Sequence, residues 1–258
     1  MCIKVFYILY YINMTTVSVV IPAYNEEKYV GILLASLQKL SEENIIEILV
    51  VDNGSIDGTK EVVRAASLSA DGSGHKIRLI EEPRKGVAWA RSRGASEARG
   101  EIIAFLDADT YVNERWIKKM LKLFSRSEVA CISSPTYYYD LGFIARISAH
   151  IYWFFASFIV SKIVGYMGNF ANLAVRAEAF KKIGGIDTSI VFYGDDTNIT
   201  RRLSKVGKVV FAFNFFVYGS GRRFGEQGML RTTWQYGATY FSEVFFHKVS
   251  SKGYTEVR

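Results

Sequence analysis

The chain has 258 residues, half of them hydrophobic and 15% aromatic, with a formal net charge of +7. That much apolar material excludes a disordered or fibrous chain and suits one large α/β domain or two small ones. The positive balance suits anionic partners, but the basic residues are scattered, so nucleic-acid binding is not expected. Cys2 and Cys131 are too few and too far apart for a disulfide framework or metal cluster, which points to a reducing, cytoplasmic setting.

Residues 1–13 are apolar and Tyr-rich, yet shorter than a spanning helix and without a small-residue cleavage site, so Met14 is the expected native start. Val17 to Ile21 is an apolar strand closed by Pro22, and Glu26 to Leu40 carries Val30, Leu33, Leu34 and Leu37 at helical spacing. A second strand, Ile45 to Val51, runs into the turn-rich Asp52 to Gly58 and a helix from Thr59 to about Ser67. After a Gly/Ser loop at Ser69 to Lys76 come a strand at Ile77 to Ile80, a helix at Val87 to Ala98 and a strand at Ile102 to Leu106. This alternation predicts a mostly parallel, Rossmann-like sheet flanked by helices, with the loops after Pro22, Asp52 and Asp107 converging at one edge.

The second half is less regular and predicts a mixed arrangement. A helix is expected at Asn113 to Ser125, a strand at Val129 to Ser133 and a long helix at 142–164. A strand near Asn172 to Val175, a short helix to Ile183 and a helix opening at Gly194 follow, then strands at Val209 to Phe211 and Phe215 to Tyr218 and a helical tail. No linker divides the chain, so a single domain is expected, with residues 14–110 as one half and 111–258 as the other. The 142–164 segment is apolar but carries Arg146, His150 and Lys162, which suits a core or interfacial helix better than a clean span.

The apolar run Ile102 to Leu106 ends in Asp107 and Asp109, separated by Ala108. Alternate residues of an extended segment point the same way, so both carboxylates can reach one hard divalent cation, Mn or Mg, bridged to a phosphate. The plainer reading makes Asp109 a helix cap and Asp107 an ordinary strand-end acid. Gly54 to Lys60 lacks the residue order of a P-loop, and Gly72 and Gly74 have no third glycine, so neither a Walker ATPase nor a dinucleotide fold is supported.

Five blocks, Ser18 to Glu27, Ile48 to Thr59, Gly86 to Arg91, Phe105 to Asp109, and Gly184 to Asp187 with Gly194 to Leu203, occur in an order that resembles the family 2 inverting glycosyltransferases of GT-A fold. The resemblance implies a nucleotide-diphosphate-sugar donor, with base and ribose held by the Pro22-Ala23-Tyr24 loop, Glu26 and Asp52. It implies a divalent cation on Asp107 and Asp109, and Asp196 as general base, with Asp195 orienting the acceptor. Asn53 and Ser92 depart from the family's usual Asp and Asn. Arg91 matches the family's Ala-Arg pair, as a residue that steadies the metal-binding acids; Arg84, Arg222 and Arg223 are candidates for phosphate contact, the last two on a closing loop.

The Gln-x-x-Arg-Trp signature of processive synthases is absent, which favours single-sugar transfer to a glycan or lipid-linked acceptor of the kind used in cell-envelope glycan or glycolipid synthesis. Peripheral contact at the inner membrane face is a further expectation, carried by the 142–164 helix. Two rival readings stand beside this one. A haloacid-dehalogenase-type phosphatase would use Asp107 as nucleophile, but its motifs fail at Tyr111 and Ile199. A catalytically silent GT-A binding module is the other.

Overall fold

The computed structural model describes residues 15–40, 44–68, 76–190, 194–227, 237–238 and 242–244. The expectations for residues 1–13, for the Ser69 to Lys76 loop up to residue 75 and for most of the helical tail lie outside the described residues.

Four strands, β1 (Val17–Ala23), β2 (Ile45–Asp52), β3 (Ile77–Glu81) and β4 (Ile102–Leu106), pair in parallel in the order β3-β2-β1-β4. Helices α1 (Val30–Gln38), α2 (Thr59–Leu68) and α3 (Val87–Glu97) connect them. Both faces of β1 and β4 are buried, which is why these strands are continuous apolar runs rather than alternating ones. Val17, Val19 and Ile21 enter one core layer with α1 residues, and Val20 enters the other with α3 residues. At Gly94 an added Cβ would lie 2.4 Å from Val20 Cγ1 and 3.0 Å from Val51 Cγ2. Its missing side chain lets α3 press onto the sheet, and Arg91 sits one turn earlier on that helix.

Beyond β4 the sheet becomes mixed, as expected for the second half. β8 (Asn172–Arg176) is antiparallel to β4 and to β6 (Val129–Ser133), and β9 (Lys208–Phe211) closes the seven-stranded order β3-β2-β1-β4-β8-β6-β9. Helix α4 (Trp116–Phe124) buries Trp116, Ile117, Met120, Leu121 and Phe124 against it. Truncating a side chain such as Trp116 or Phe124 to alanine costs about 3–5 kcal/mol. Helix α5 (Phe143–Ile163) matches the expected long helix, and α6 (Ala177–Lys182) and α7 (Asp195–Ser204) follow. Among the described residues no helix is long and apolar enough to cross a membrane.

Several boundaries differ from the sequence expectation. β1 runs through Pro22 to Ala23, so those two residues belong to the strand and only Tyr24 begins the loop. α1 starts at Val30, because Glu26 to Tyr29 form a turn in which the Glu26 carbonyl accepts from Tyr29 and Val30. α4 starts at Trp116, since Asn113 caps a turn there and its side chain accepts from the Arg115 amide. The expected strand at Phe215 to Tyr218 is β10 (Val217–Gly219), in a separate sheet with β5 (Thr110–Tyr111) and β7 (Thr136–Tyr138) in the order β5-β10-β7. Strands of two or three residues carry too little periodicity to be recognised. Arg222 and Arg223, expected on a loop, open the short helix α8 (Arg222–Gln227).

Candidate active site

The loops leaving β1 and β2 are tied together by side chains. Asn25 adopts a left-handed backbone (φ 55°); its amide donates to the Ser55 hydroxyl and its side-chain oxygen accepts from the Ile56 amide. The Glu26 amide donates to Thr59 Oγ1 at 2.8 Å, which holds Glu26 at the carboxyl edge of the sheet. Asp52 is 1% exposed, accepts from the Gly54 and Ser55 amides and faces Lys60 Nζ at 3.6 Å, so its carboxylate organises its own turn.

Asn53 works as a latch. Its amide nitrogen donates to the Glu82 and Arg84 carbonyls, each at 2.8 Å, and its oxygen accepts from the Gly86 amide at 2.8 Å. A carboxylate could accept from Gly86 but would oppose two carbonyl oxygens, which gives the departure at position 53 a physical reason. Arg84 is forked onto Glu82 at 2.7 and 2.8 Å and lies 3.9 Å over the Trp89 ring. Those contacts occupy its guanidinium in the Glu82 to Trp89 segment and do not bring it to the acid cluster. Pro22 and Ala23 are buried in β1, and Lys85 Nζ sits 5.4 Å from the centre of the Tyr24 ring.

The acids form two ion-paired networks, one on Arg91 and one on Arg222, that meet at the turn carrying Asp107 and Asp109. Arg91, 6% exposed, donates from one terminal nitrogen to Asp107 at 2.8 Å and from the other to Asp195 at 2.6 Å, with its guanidinium 4.1 Å from the Phe170 ring centre. Asp109 faces Arg222 at 3.2 Å, and the same arginine nitrogen donates to Glu26. Burial pushes the Asp109 carboxyl up to about 7; Arg222 draws it down, while the nearby Asp107 and Glu26 charges push it up. Glu26 is raised by burial against the pull of Arg222, and its Oε2 is buried with no hydrogen-bond partner. Arg223 also lies within electrostatic reach of Asp109.

Asp195 and Asp196 open α7 behind Gly194, whose φ of 85° only glycine adopts readily. Burial, reinforced by the adjacent Asp195 charge, pushes the Asp196 carboxyl up to about 7; the Thr197 amide, donating at 2.7 Å, and Arg91 oppose the shift. Gly168 packs against this turn: an added Cβ would meet the Asp196 carbonyl oxygen at 2.5 Å. Two further residues went unread in the sequence. Asp140 accepts from the Ser220 hydroxyl and the Gly221 amide, fixing the approach to Arg222, and Phe170 forms the surface under Arg91.

These residues fit a divalent cation. Asp107 and Asp109 offer hard carboxylate oxygens at the carboxyl end of β4, and the charges of Asp107 and Glu26 both act on the buried Asp109. Among the described residues no group of three metal-ligating side chains is present, so Asp107 and Asp109 would hold a cation only together with donor phosphate or water.

Solved structures share the architecture. A mannosyltransferase from Pyrobaculum calidifontis, determined with GDP-Man and Mn2+, aligns with 96% of this chain and 74% of its own at a TM-score of 0.70 and 17% identity. Glucosyl-3-phosphoglycerate synthase from Mycobacterium tuberculosis, determined with Mn2+, UDP-Glc and phosphoglyceric acid, aligns with 95% of this chain and 84% of its own at a TM-score of 0.62 and 19% identity. The fold is therefore GT-A, a central mixed sheet between helical layers.

The family profile described as Glycosyl transferase family 2 matches residues 18–184. Glycosyltransferase AglE of Haloferax volcanii is 31% identical over 215 residues, 81% of this chain and 68% of AglE. Glycosyltransferase GlyG of Streptococcus pneumoniae is 31% identical over 125 residues, so that the match spans 48% of this chain and 40% of GlyG. The chain belongs to glycosyl transferase family 2.

Proposed function

We propose that the chain transfers a sugar from a nucleotide-diphosphate-sugar to an acceptor hydroxyl or lipid phosphate, with divalent-cation dependence and inversion at the anomeric carbon. The observation that carries this reading is the Asp195, Arg91, Asp107 bridge, which joins the acid pair opening α7 to the strand-end acids through one buried guanidinium. The nucleotide-sugar complexes of the two structural neighbours support the donor class.

Asp196 is the general base. It takes the proton of the acceptor hydroxyl as that oxygen forms a bond to the anomeric carbon, while the bond from that carbon to the diphosphate breaks on the opposite face. A carboxyl near 7 suits this task at neutral pH, being part deprotonated yet basic enough to accept a proton in the transition state. An acceptor phosphate needs no such proton removal. Asp107 and Asp109 are the residues for a Mn or Mg ion, which when bound supplies charge neutralisation to the departing diphosphate. Glu26, with its unpaired buried oxygen, accepts from a ribose hydroxyl or a base N–H, and Tyr24 covers the base. Asp52 shapes the loop beneath them. Arg222 and Arg223 turn toward the diphosphate, and Asp195 orients the acceptor while held by Arg91.

In this reading the reaction runs on the cytoplasmic side, and the exposed Phe143, Ile144 and Ile151 of α5 support peripheral contact at the inner membrane face. A panel of nucleotide-sugars with and without Mn2+, scored by donor hydrolysis and thermal shift, tests the reading. One donor should stand out, and only with the cation. Asp196→Asn should keep donor binding and lose turnover; full activity in that variant would remove Asp196 as base, and binding without turnover in the native chain would favour a silent module.

A further inference from the structure

Glu243, a residue of the C-terminal tail, is only 1% exposed and takes no part in the chemistry above. Its Oε1 accepts from Asn198 Nδ2 at 3.0 Å and from Nε and one terminal nitrogen of Arg201 at 3.2 and 3.0 Å. Carboxylates seldom lie this deep unless paired, and both partners here belong to α7, the helix that the acid pair opens. Arg201 is itself 17% exposed in this pair.

Asn198 carries the connection further. Its side-chain oxygen accepts from Arg202 Nε at 2.9 Å, and the same guanidinium donates to the Ile183 carbonyl at 2.9 Å and the Gly185 carbonyl at 2.7 Å. Those carbonyls flank a turn in which Gly184 and Gly185 are both left-handed, at φ 74° and 76°. The glycine pair singled out in the sequence thus presents two acceptors to α7.

Residues 195, 198 and 202 are spaced three and four apart, so they share one stripe of the helix. Arg91 holds the stripe at Asp195, Glu243 at Asn198 and the glycine turn at Arg202. Asp196 lies between the first two anchors. Its carboxylate accepts from the amide and hydroxyl of Thr197, which travel with the same helix, so its aim depends on where α7 is held.

We propose that Glu243 is a positioning residue for the transfer: through Asn198 and Arg201 it fixes the first turns of α7, and with them the aim of the Asp196 carboxylate. The proposal rests on the sugar-transfer reading above and adds to it a residue 45 positions beyond Asn198. Misplacing a catalytic group by about 1 Å costs a rate factor on the order of 10², so a loosened α7 is read in turnover before it is read in donor binding.

The test sets Glu243→Ala, Glu243→Gln and Asn198→Ala beside the wild-type full chain. Donor affinity is measured by calorimetric titration with Mn2+ and the nucleotide-sugar that the panel selects, kcat by donor turnover, and α7 by amide hydrogen exchange over residues 195–200. Glu243→Ala should lower kcat at least ~10-fold, keep the donor Kd within ~2-fold and speed exchange over 195–200 at least ~10-fold. Asn198→Ala, which leaves the Arg201 to Glu243 pair in place, should show the same split between kcat and Kd. Glu243→Gln keeps an acceptor oxygen for Asn198 and should hold kcat within ~3-fold of the wild type. Unchanged kcat or unchanged exchange in Glu243→Ala, equal losses of rate and donor affinity, or a glutamine variant as slow as the alanine one would overturn the proposal and leave the transferase reading standing. A wild-type chain that turns over no nucleotide-sugar while exchange still rises in Glu243→Ala removes the transferase reading and keeps Glu243 as the anchor of α7.

Discussion

Arg91 holds Asp107 and Asp195 with two nitrogens of a single guanidinium, at 2.8 and 2.6 Å. The strand-end acids and the acids opening α7 are thereby fixed relative to each other through a side chain that water scarcely reaches. Lysine offers a point charge without the planar fork, so Arg91→Lys should lower kcat on the order of 10²-fold while changing donor affinity far less. Arg91→Met leaves two carboxylates without their buried partner and should cost about 3 kcal/mol in urea unfolding. Wild-type kcat in the lysine variant would show that the fork does not position the acids.

The Asp196 carboxyl titrates near 7 in the folded chain against an ordinary value of 3.8. Its base form predominates above that point, so kcat/KM should fall as pH drops through about 7. The stability sign is opposite. Between 3.8 and about 7 the folded state holds a proton that the unfolded state has released, so this group's contribution weakens as pH rises through that window. Unfolding titrations from pH 4 to 8 on the wild type and Asp196→Asn check it: the variant should lose part of that decline. Superimposable pH curves would contradict the assignment.

Arg222 bridges Glu26 and Asp109 beside the Tyr29 ring and is held there by the loop that Asp140 fixes. In the transferase reading, those partners must be shared with donor and cation. Arg222→Ala should weaken nucleotide-sugar binding by about 10-fold, consistent with loss of one charge-assisted phosphate contact. Asp140→Ala should produce a smaller loss of the same kind by loosening the loop. Calorimetric titration with Mn2+ present measures both, and an unchanged donor affinity in Arg222→Ala would remove this arginine from the phosphate path.

Asn53→Asp should destabilise the chain by about 1–3 kcal/mol, because two carbonyl oxygens lose their donor and face a carboxylate instead. Urea unfolding gives the value. A variant as stable as the wild type would show that the latch is not what holds the Glu82 to Gly86 loop.

Much of this arrangement was legible in the chain. β1 and β4 are unbroken apolar runs because both their faces are covered, and Gly194 before two acids marks the start of α7 by backbone geometry and helix polarity together. What stayed hidden depends on partners remote in sequence. The Arg91 to Asp195 contact spans 104 positions, and no local pattern announces it. The β5-β10-β7 sheet escaped because its strands have two or three residues each. Asn53 did carry a signal, as a departure from the family's Asp, but its meaning required the Glu82 and Arg84 carbonyls beside it.

In the proposed reaction Asp107 and Asp109 grip the donor's diphosphate through a cation while Asp196 faces the anomeric carbon from the other side. Anomalous diffraction at the manganese edge from crystals soaked with Mn2+ and the preferred nucleotide-sugar tests it most directly. One manganese peak should lie between the diphosphate and the Asp107/Asp109 carboxylates, with the Asp196 carboxylate on the sugar face opposite the leaving oxygen. Manganese bound elsewhere, or Asp196 turned away from the sugar, would contradict it.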